Sequence, residues 1–222
     1  MSSFSLDLRA GAEEIWEQQH AHPFVTGIGD GTLPEDAFRF YVRQDYLFLV
    51  DYGRLLALGA VRAPRLEWMR RFASLSQAIL ETEMDLHRAY AAEWGIGSAE
   101  LEGERAAPAT SGYADFLLRT AALGDFAELA AALLPCMWGY AEIGERLAQG
   151  PRPEHPLYSG WIDMYAGEDF QRLAVWCREL VDAAAAELER PGHDRMQQAF
   201  LASSRHELAF WESAWRHRQP LA

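Results

Sequence analysis

The stretch Thr32–Gly59, TLPEDAFRFYVRQDYLFLVDYGRLLALG, is long enough for roughly seven to eight turns of helix. Thr32 and Glu35 have capping-box spacing around Pro34, which predicts a helix start here. Further along, Tyr41, Asp45, Phe48 and Tyr52 recur at i, i+4, i+7 and i+11, so one face carries aromatic rings with a carboxylate among them. A neighbour of similar kind lies on each side. Ser5 is placed to cap a helix reaching about His20, before Pro23 and a loop holding Gly27, Gly29 and Gly31; downstream, a helix is expected from Pro64 to Trp94. Gly95–Gly112 reads as a connection, and the remaining predicted helices are about Tyr113–Leu123, one opened by Asp125 and Glu128 and closed at Gly150, Leu157–Tyr165, Glu168–Arg190, and Asp194–Arg216. Isoleucine, valine and threonine supply only 17 of 222 residues, which disfavours a sheet. The expectation is an all-α, multi-helix bundle with its sites in the core, spanning residues 1–222 as one domain.

Composition narrows the partners. Half the chain is hydrophobic and 24% charged, ordinary for a globular protein. A formal charge of −13 repels a phosphate backbone or an anionic leaflet, so nucleic acid and membrane are not expected partners. All twenty basic residues are arginine; without lysine there is no Schiff base and no P-loop. The two cysteines, Cys136 and Cys177, suit a reducing compartment, and no signal peptide is read in Met1–Glu14, so the cytoplasm is the expected location.

A polar group on a face that should be buried is the informative feature in such a bundle, because desolvating it costs several kcal/mol unless it is paired. Asp45 is one. Cys136 shares a face with Leu133, Tyr140 and Ile143, and Pro135 deprives the Ala131 carbonyl of its helical donor one residue before the thiol. Glu207 lies among Phe210, Trp211 and Ala214; it could also pair with Arg205. Cys177, beside Trp176, reads as apolar filler. Glu83 and His87 stand at i, i+4 and could ligate a metal from one face, but no matching second pair of ligands occurs, so the two read as a surface pair or a core hydrogen bond, and no metal and no cofactor is expected.

Five blocks together resemble one family: HPFVTGIGDGTLP (His22–Pro34), YVRQDYLFL (Tyr41–Leu49), LLPCMWGYAEIGERL (Leu133–Leu147), WIDMY (Trp161–Tyr165) and SSRHELAFWESAW (Ser203–Trp215). They look like the TenA family, also called thiaminase II, over nearly the whole chain. The resemblance implies a bundle of the haem-oxygenase-like type without haem, assembled as a homotetramer. It also implies thiamin salvage: hydrolysis of 4-amino-5-aminomethyl-2-methylpyrimidine to the hydroxymethyl product plus ammonia, and cleavage of thiamin itself. Within the family, Cys136 places this chain in the class that carries a catalytic cysteine. By the same resemblance Cys136 is the nucleophile, Glu207 the acid and Asp45 the carboxylate holding the aminopyrimidine. Phe48, Tyr113, Tyr140, Tyr165 and Phe210 match pocket residues. Tyr46, Leu47 and His206 depart from the common pattern.

The chemistry accounts for these residue types. An amine leaves poorly from a methylene on an aromatic ring; a thiolate adding to the adjacent ring carbon, with an acid protonating a ring nitrogen, lets the ring expel it. Burial among Phe210 and Trp211 would keep Glu207 an acid, while Asp45 should stay ionised to accept from the ring amino group. Two other readings use the same fold: a pyrimidine-binding or regulatory protein without turnover, and an iron-dependent oxygenase.

Overall fold

Prolines and glycines expected to end helices mostly begin them or let them pack closely. The computed structural model describes residues 3–217. Its first helical stretch divides at Ala12 (φ −112°, ψ 10°) into α1 (Phe4–Gly11) and α2 (Glu13–His20). Ser5 is no cap: its N–H and hydroxyl donate to Asp182 (2.7 and 3.1 Å) and tie α1 to a later helix. The expected glycine loop is instead a helix, α3 (Pro23–Asp30), because Pro23 presets its first φ and the His22 ring accepts from the Phe24 N–H (3.2 Å). Its glycines serve close approach, since a Cβ on Gly29 would lie 2.8 Å from Leu147. Gly31, at φ +77°, ends the helix.

Helix α4 (Glu35–Arg62) starts at Pro34 without a side-chain cap, because Thr32 donates instead to Asp30 Oδ1 through its N–H and hydroxyl (3.0 and 2.6 Å). The helix expected from Pro64 is α5 (Leu66–Ala78), a π-helical turn (Ile79–Glu83) and α6 (Met84–Glu93). The connection holds α7 (Ser98–Glu102), and Pro108 at a first-turn position starts α8 (Pro108–Leu123) earlier than expected. Asp125 and Glu128 do form the capping box, accepting from each other's N–H groups at 2.8 and 2.9 Å, at the head of α9 (Phe126–Ala148). Then follow α10 (Pro156–Ala166), α11 (Glu168–Ala185) and α12 (Arg190–His217). Pro191 and Gly192 lie in the first turn of α12 rather than before it, where a missing N–H costs nothing. There is no strand among the described residues, and no helix in them is long and apolar enough to cross a membrane.

Helix α9 is the hub, packed against α8, α10, α11 and α12. Small residues make that possible: Ala130, Ala131 and Ala132 are buried, and a Cβ on Gly144 would lie 2.6 Å from the Tyr165 backbone. The apolar core forms two clusters, one around Trp16, Phe72, Leu133 and Phe200, the other around Phe24, Phe38, Trp161 and Trp211. Each fully buried side chain of this size adds roughly 1.5–3 kcal/mol. Three long helices cross from one cluster to the other. On α4 Phe48 belongs to the first and Tyr41 to the second; on α9 the change falls between Met137 and Tyr140, and on α12 between Phe200 and Phe210. Asp45, Cys136 and Glu207 stand at or beside these crossings, so the polar groups occupy a seam between two apolar bodies.

Candidate active site

Glu207 on α12 is 2% exposed, and its Oε1 lies 2.7 Å from the Tyr113 hydroxyl of α8. That hydroxyl also lies 2.8 Å from Ser203 Oγ, and Ser203 Oγ lies 2.7 Å from the Ala132 carbonyl, to which only Ser203 can donate. Two hydroxyls hold two protons for three contacts. All three are hydrogen bonds when Glu207 supplies the third proton as a neutral acid. Burial acts in the same direction and pushes its carboxyl up to about 8, with the Asp45 charge adding to the rise. Once Glu207 ionises, Tyr113 can turn its proton to the carboxylate, which opposes the rise, as does a hydrogen bond from Cys136.

Asp45 on α4 is 5% exposed and meets a different partner. Its Oδ2 lies 2.7 Å from His87 Nε2 on α6, while His87 Nδ1 donates to the Glu83 carbonyl at 3.0 Å. Both ring nitrogens therefore face oxygen acceptors, which suits an imidazolium. Burial alone would lower the His87 value, but the hydrogen bond and charge of Asp45, with the charge and carbonyl of Glu83, raise it above that of free histidine. The pair joins a carboxyl to an imidazole whose charged form the contact favours, and both side chains are buried.

A narrow cavity lies between these groups, walled by Asp45, Phe48, Tyr52, Cys136, Tyr140 and Tyr165, with Glu83 also at its edge. The Cys136 thiol is pushed well above its ordinary range, first by burial and then by the negative charges of Glu207, Asp45 and Glu83. Burial and the Asp45 charge push Glu83 up to about 7, against the opposing His87 charge and the Tyr165 hydroxyl, which lies 3.5 Å away. Tyr140 and Tyr165 lie with ring centres 4.9 Å apart, and Tyr41 accepts from the Trp161 indole at 3.2 Å.

Five of the eight side chains expected at the site, Asp45, Phe48, Cys136, Tyr140 and Tyr165, line the cavity. Glu207 and Tyr113 are joined by their hydrogen bond beside the thiol but form no part of the open wall. Phe210 is one step further out, packed on Phe48 at 6.0 Å and on Tyr41 at 5.9 Å. Glu207 does not pair with Arg205, and Cys177 is core filler as expected, 1% exposed. In the sequence Glu83 and His87 read as a surface pair or a core hydrogen bond ahead of a metal-ligand pair, and nothing in their spacing points to the partner across the core, Asp45. Here His87 takes the Glu83 carbonyl, not its carboxylate, and directs its other nitrogen across to α4. Among the described residues no group of three or more His, Cys, Asp and Glu side chains is set to hold a metal ion.

The class defined by this architecture is a haem-oxygenase-like helical bundle with a small polar pocket at its centre. A domain of unknown function with a haem-oxygenase-like fold from Shewanella denitrificans superposes with a TM-score of 0.74 over 95% of this chain and 91% of its own, at 12% identity, a likeness of fold alone. Closer relatives narrow the class. The chain belongs to the TENA/THI-4/PQQC family, whose model matches residues 9–217. An aminopyrimidine aminohydrolase of Halalkalibacterium halodurans is 43% identical over 97% of both chains, and one of Bacillus subtilis is 38% identical over 96% of this chain and 90% of its own. Among solved structures, a TenA homologue from P. horikoshii superposes with a TM-score of 0.91, covering 97% of this chain and all of its own at 32% identity.

Proposed function

We propose that this protein is an aminopyrimidine aminohydrolase of the cysteine-bearing TenA class. It converts 4-amino-5-aminomethyl-2-methylpyrimidine to the hydroxymethyl product and ammonia in thiamin salvage, and cleaves thiamin by the same route. The observation that carries this reading is a narrow cavity walled by the Cys136 thiol and by Asp45 with its His87 partner, with the Glu207 carboxyl, favoured as an acid, beside the thiol just behind that wall.

Asp45 accepts from the ring amino group, and Phe48 and Tyr140 bracket the ring. Cys136 donates its proton as its sulfur bonds to the ring carbon beside the one bearing the methylene; the Glu207 carboxyl protonates the ring nitrogen, then regains a proton from the thiol. The amine is protonated, so as the ring electrons form an exocyclic double bond the carbon–nitrogen bond breaks and ammonia leaves with the bonding pair. Water adds to the methylene and gives its extra proton to the departing ammonia; the ring nitrogen returns its proton to the sulfur by way of Glu207, and loss of the thiol restores aromaticity. A thiol held so far above neutrality needs a proton acceptor, and Glu207 is the carboxyl beside it.

The reading extends to a cofactor-free, cytoplasmic homotetramer folded as one domain over residues 1–222. Exposed Val61, Leu66, Met69 and Val175 are apolar surface that an assembly would cover, and sedimentation equilibrium measures its size. The deciding experiment for the activity is ammonia release from the aminomethylpyrimidine by wild type and Cys136→Ser, with thiamin cleavage in parallel. Turnover by the wild type and a loss of several orders of magnitude in the variant are expected. A wild type that binds the pyrimidine without releasing ammonia or cleaving thiamin would be a binding or regulatory protein, and the proposal would fall.

A further inference from the structure

The cavity is not the only space that Glu83 lines. An apolar groove runs outward over Leu75, Ala78, Leu86, Met164 and Leu173, and it shares a wall with the cavity made of Ile79, Glu83 and Phe170. Glu83 is therefore the one ionisable residue at the throat between the reaction cavity and its approach. No arginine lines either space, and the nearby His87 is engaged by the Asp45 carboxyl and the Glu83 backbone carbonyl, not by the Glu83 carboxyl.

A second relation fixes what Glu83 would face. One imidazole joins it to Asp45: His87 bonds the Asp45 carboxylate with Nε2 and the Glu83 backbone with Nδ1. Both side chains line the cavity, near enough for the Asp45 charge to act on the Glu83 carboxyl. In the substrate class of the proposed function, the ring amino group and the aminomethyl group are neighbours too, on adjacent ring carbons. A ring whose amino group is held by Asp45 places its methylene nitrogen beside Glu83, towards the opening.

The reaction changes the charge of that substituent and little else. A primary amine on a methylene is largely a cation at neutral pH, whereas the hydroxyl that replaces it is neutral. We propose that Glu83 binds the cationic leaving group at this throat and so discriminates substrate from product by charge. As an ammonium the group already carries its three hydrogens, so ammonia departs with the bonding electron pair and requires no further acid. The neutral product loses the contact and leaves through the groove. This inference rests on the function proposed above.

The test compares wild type with Glu83→Gln and Glu83→Asp at pH 8, above the value of about 7 at which the Glu83 carboxyl titrates. Two quantities are read: KM for the aminomethylpyrimidine, and the inhibition constant of the hydroxymethylpyrimidine. Glutamine is isosteric and uncharged, as Glu83 itself is when protonated, so intact product binding also certifies the fold. Losing a charge-assisted hydrogen bond should raise KM roughly 10- to 100-fold with a nearly unchanged inhibition constant, and Glu83→Asp should recover part of the loss. An unchanged KM in Glu83→Gln, or equal weakening of substrate and product, in an active wild type would overturn the charge assignment alone. A wild type that neither turns over the aminomethyl compound nor binds the hydroxymethyl compound would overturn both readings.

Discussion

Two buried carboxyls face one thiol in this molecule, and they differ in what holds them. Glu207 is held by the Tyr113 hydroxyl, itself bonded to Ser203, and a hydroxyl can donate or accept and so follow the carboxyl through either protonation state. Asp45 is held by an imidazole whose other nitrogen is committed to a carbonyl, an arrangement that favours the charged imidazole. Depth is nearly the same for both, so the difference lies in the partners. Burial sets the cost of a charge; the neighbour decides whether that cost is met by a counter-charge or avoided by keeping the proton.

The strongest way to break this comparison is to neutralise each carboxyl in turn. Glu207→Gln should lower kcat by about 10²- to 10⁴-fold, the range for removing a general acid or base. Asp45→Asn should act mainly on KM, because its carboxylate binds and transfers no proton. Steady-state kinetics on both variants checks this, and equal losses of kcat would erase the distinction.

A stability experiment sharpens it. A carboxyl near 4.5 in the unfolded chain and about 8 in the fold gives up stability as pH rises through that interval, since the folded state alone keeps the proton there. Below the interval both states are protonated and the penalty vanishes. Glu207→Gln removes it, so urea denaturation should show the variant more stable than wild type at pH 8, by on the order of 4 kcal/mol, and little changed at pH 4. No gain at pH 8 would mean that Glu207 is ionised in the fold.

The smallest expected effect is that of Tyr113→Phe. Without the hydroxyl that can turn to the carboxylate, Glu207 should titrate higher, moving the basic limb of the kcat profile up by less than about one pH unit, as suits a hydrogen bond worth roughly 1 kcal/mol. A downward shift would show that Tyr113 supports the acid form alone.

Much of this arrangement is visible in the sequence because helix periodicity is a local property. The spacing Tyr41–Asp45–Phe48–Tyr52 already places a carboxylate on an aromatic face, and all four side chains are buried. The Asp125–Glu128 capping box is equally local and forms as read. What spacing along one helix does not contain is the partner on another. His87 is four residues from Glu83 but 42 from Asp45, and only the packing of α6 on α4 makes the longer relation the one that holds its charge. Prolines mislead for a related reason: Pro23 and Pro191 can close one helix or open the next, and flanking caps and tertiary packing decide between the two.

The π-helical turn at Ile79–Glu83 gives the site a dependence on chain length as well as on residue type. A π turn accommodates about one residue more than an α turn, and each residue in an α-helix rotates its successors by about 100°. Deleting one residue within the turn would heal the helix into regular α geometry with α5 and α6 keeping their faces, whereas deleting one from the α-helix on either side would turn α5 or α6 about its axis. His87 would then point away from Asp45, or Phe72 and Leu75 away from the core, with every side chain of the pocket still spelled in the sequence. Two relatives alike at all of these positions but differing by one residue beside this turn would therefore differ in function, and an inventory of matching residues would overlook it.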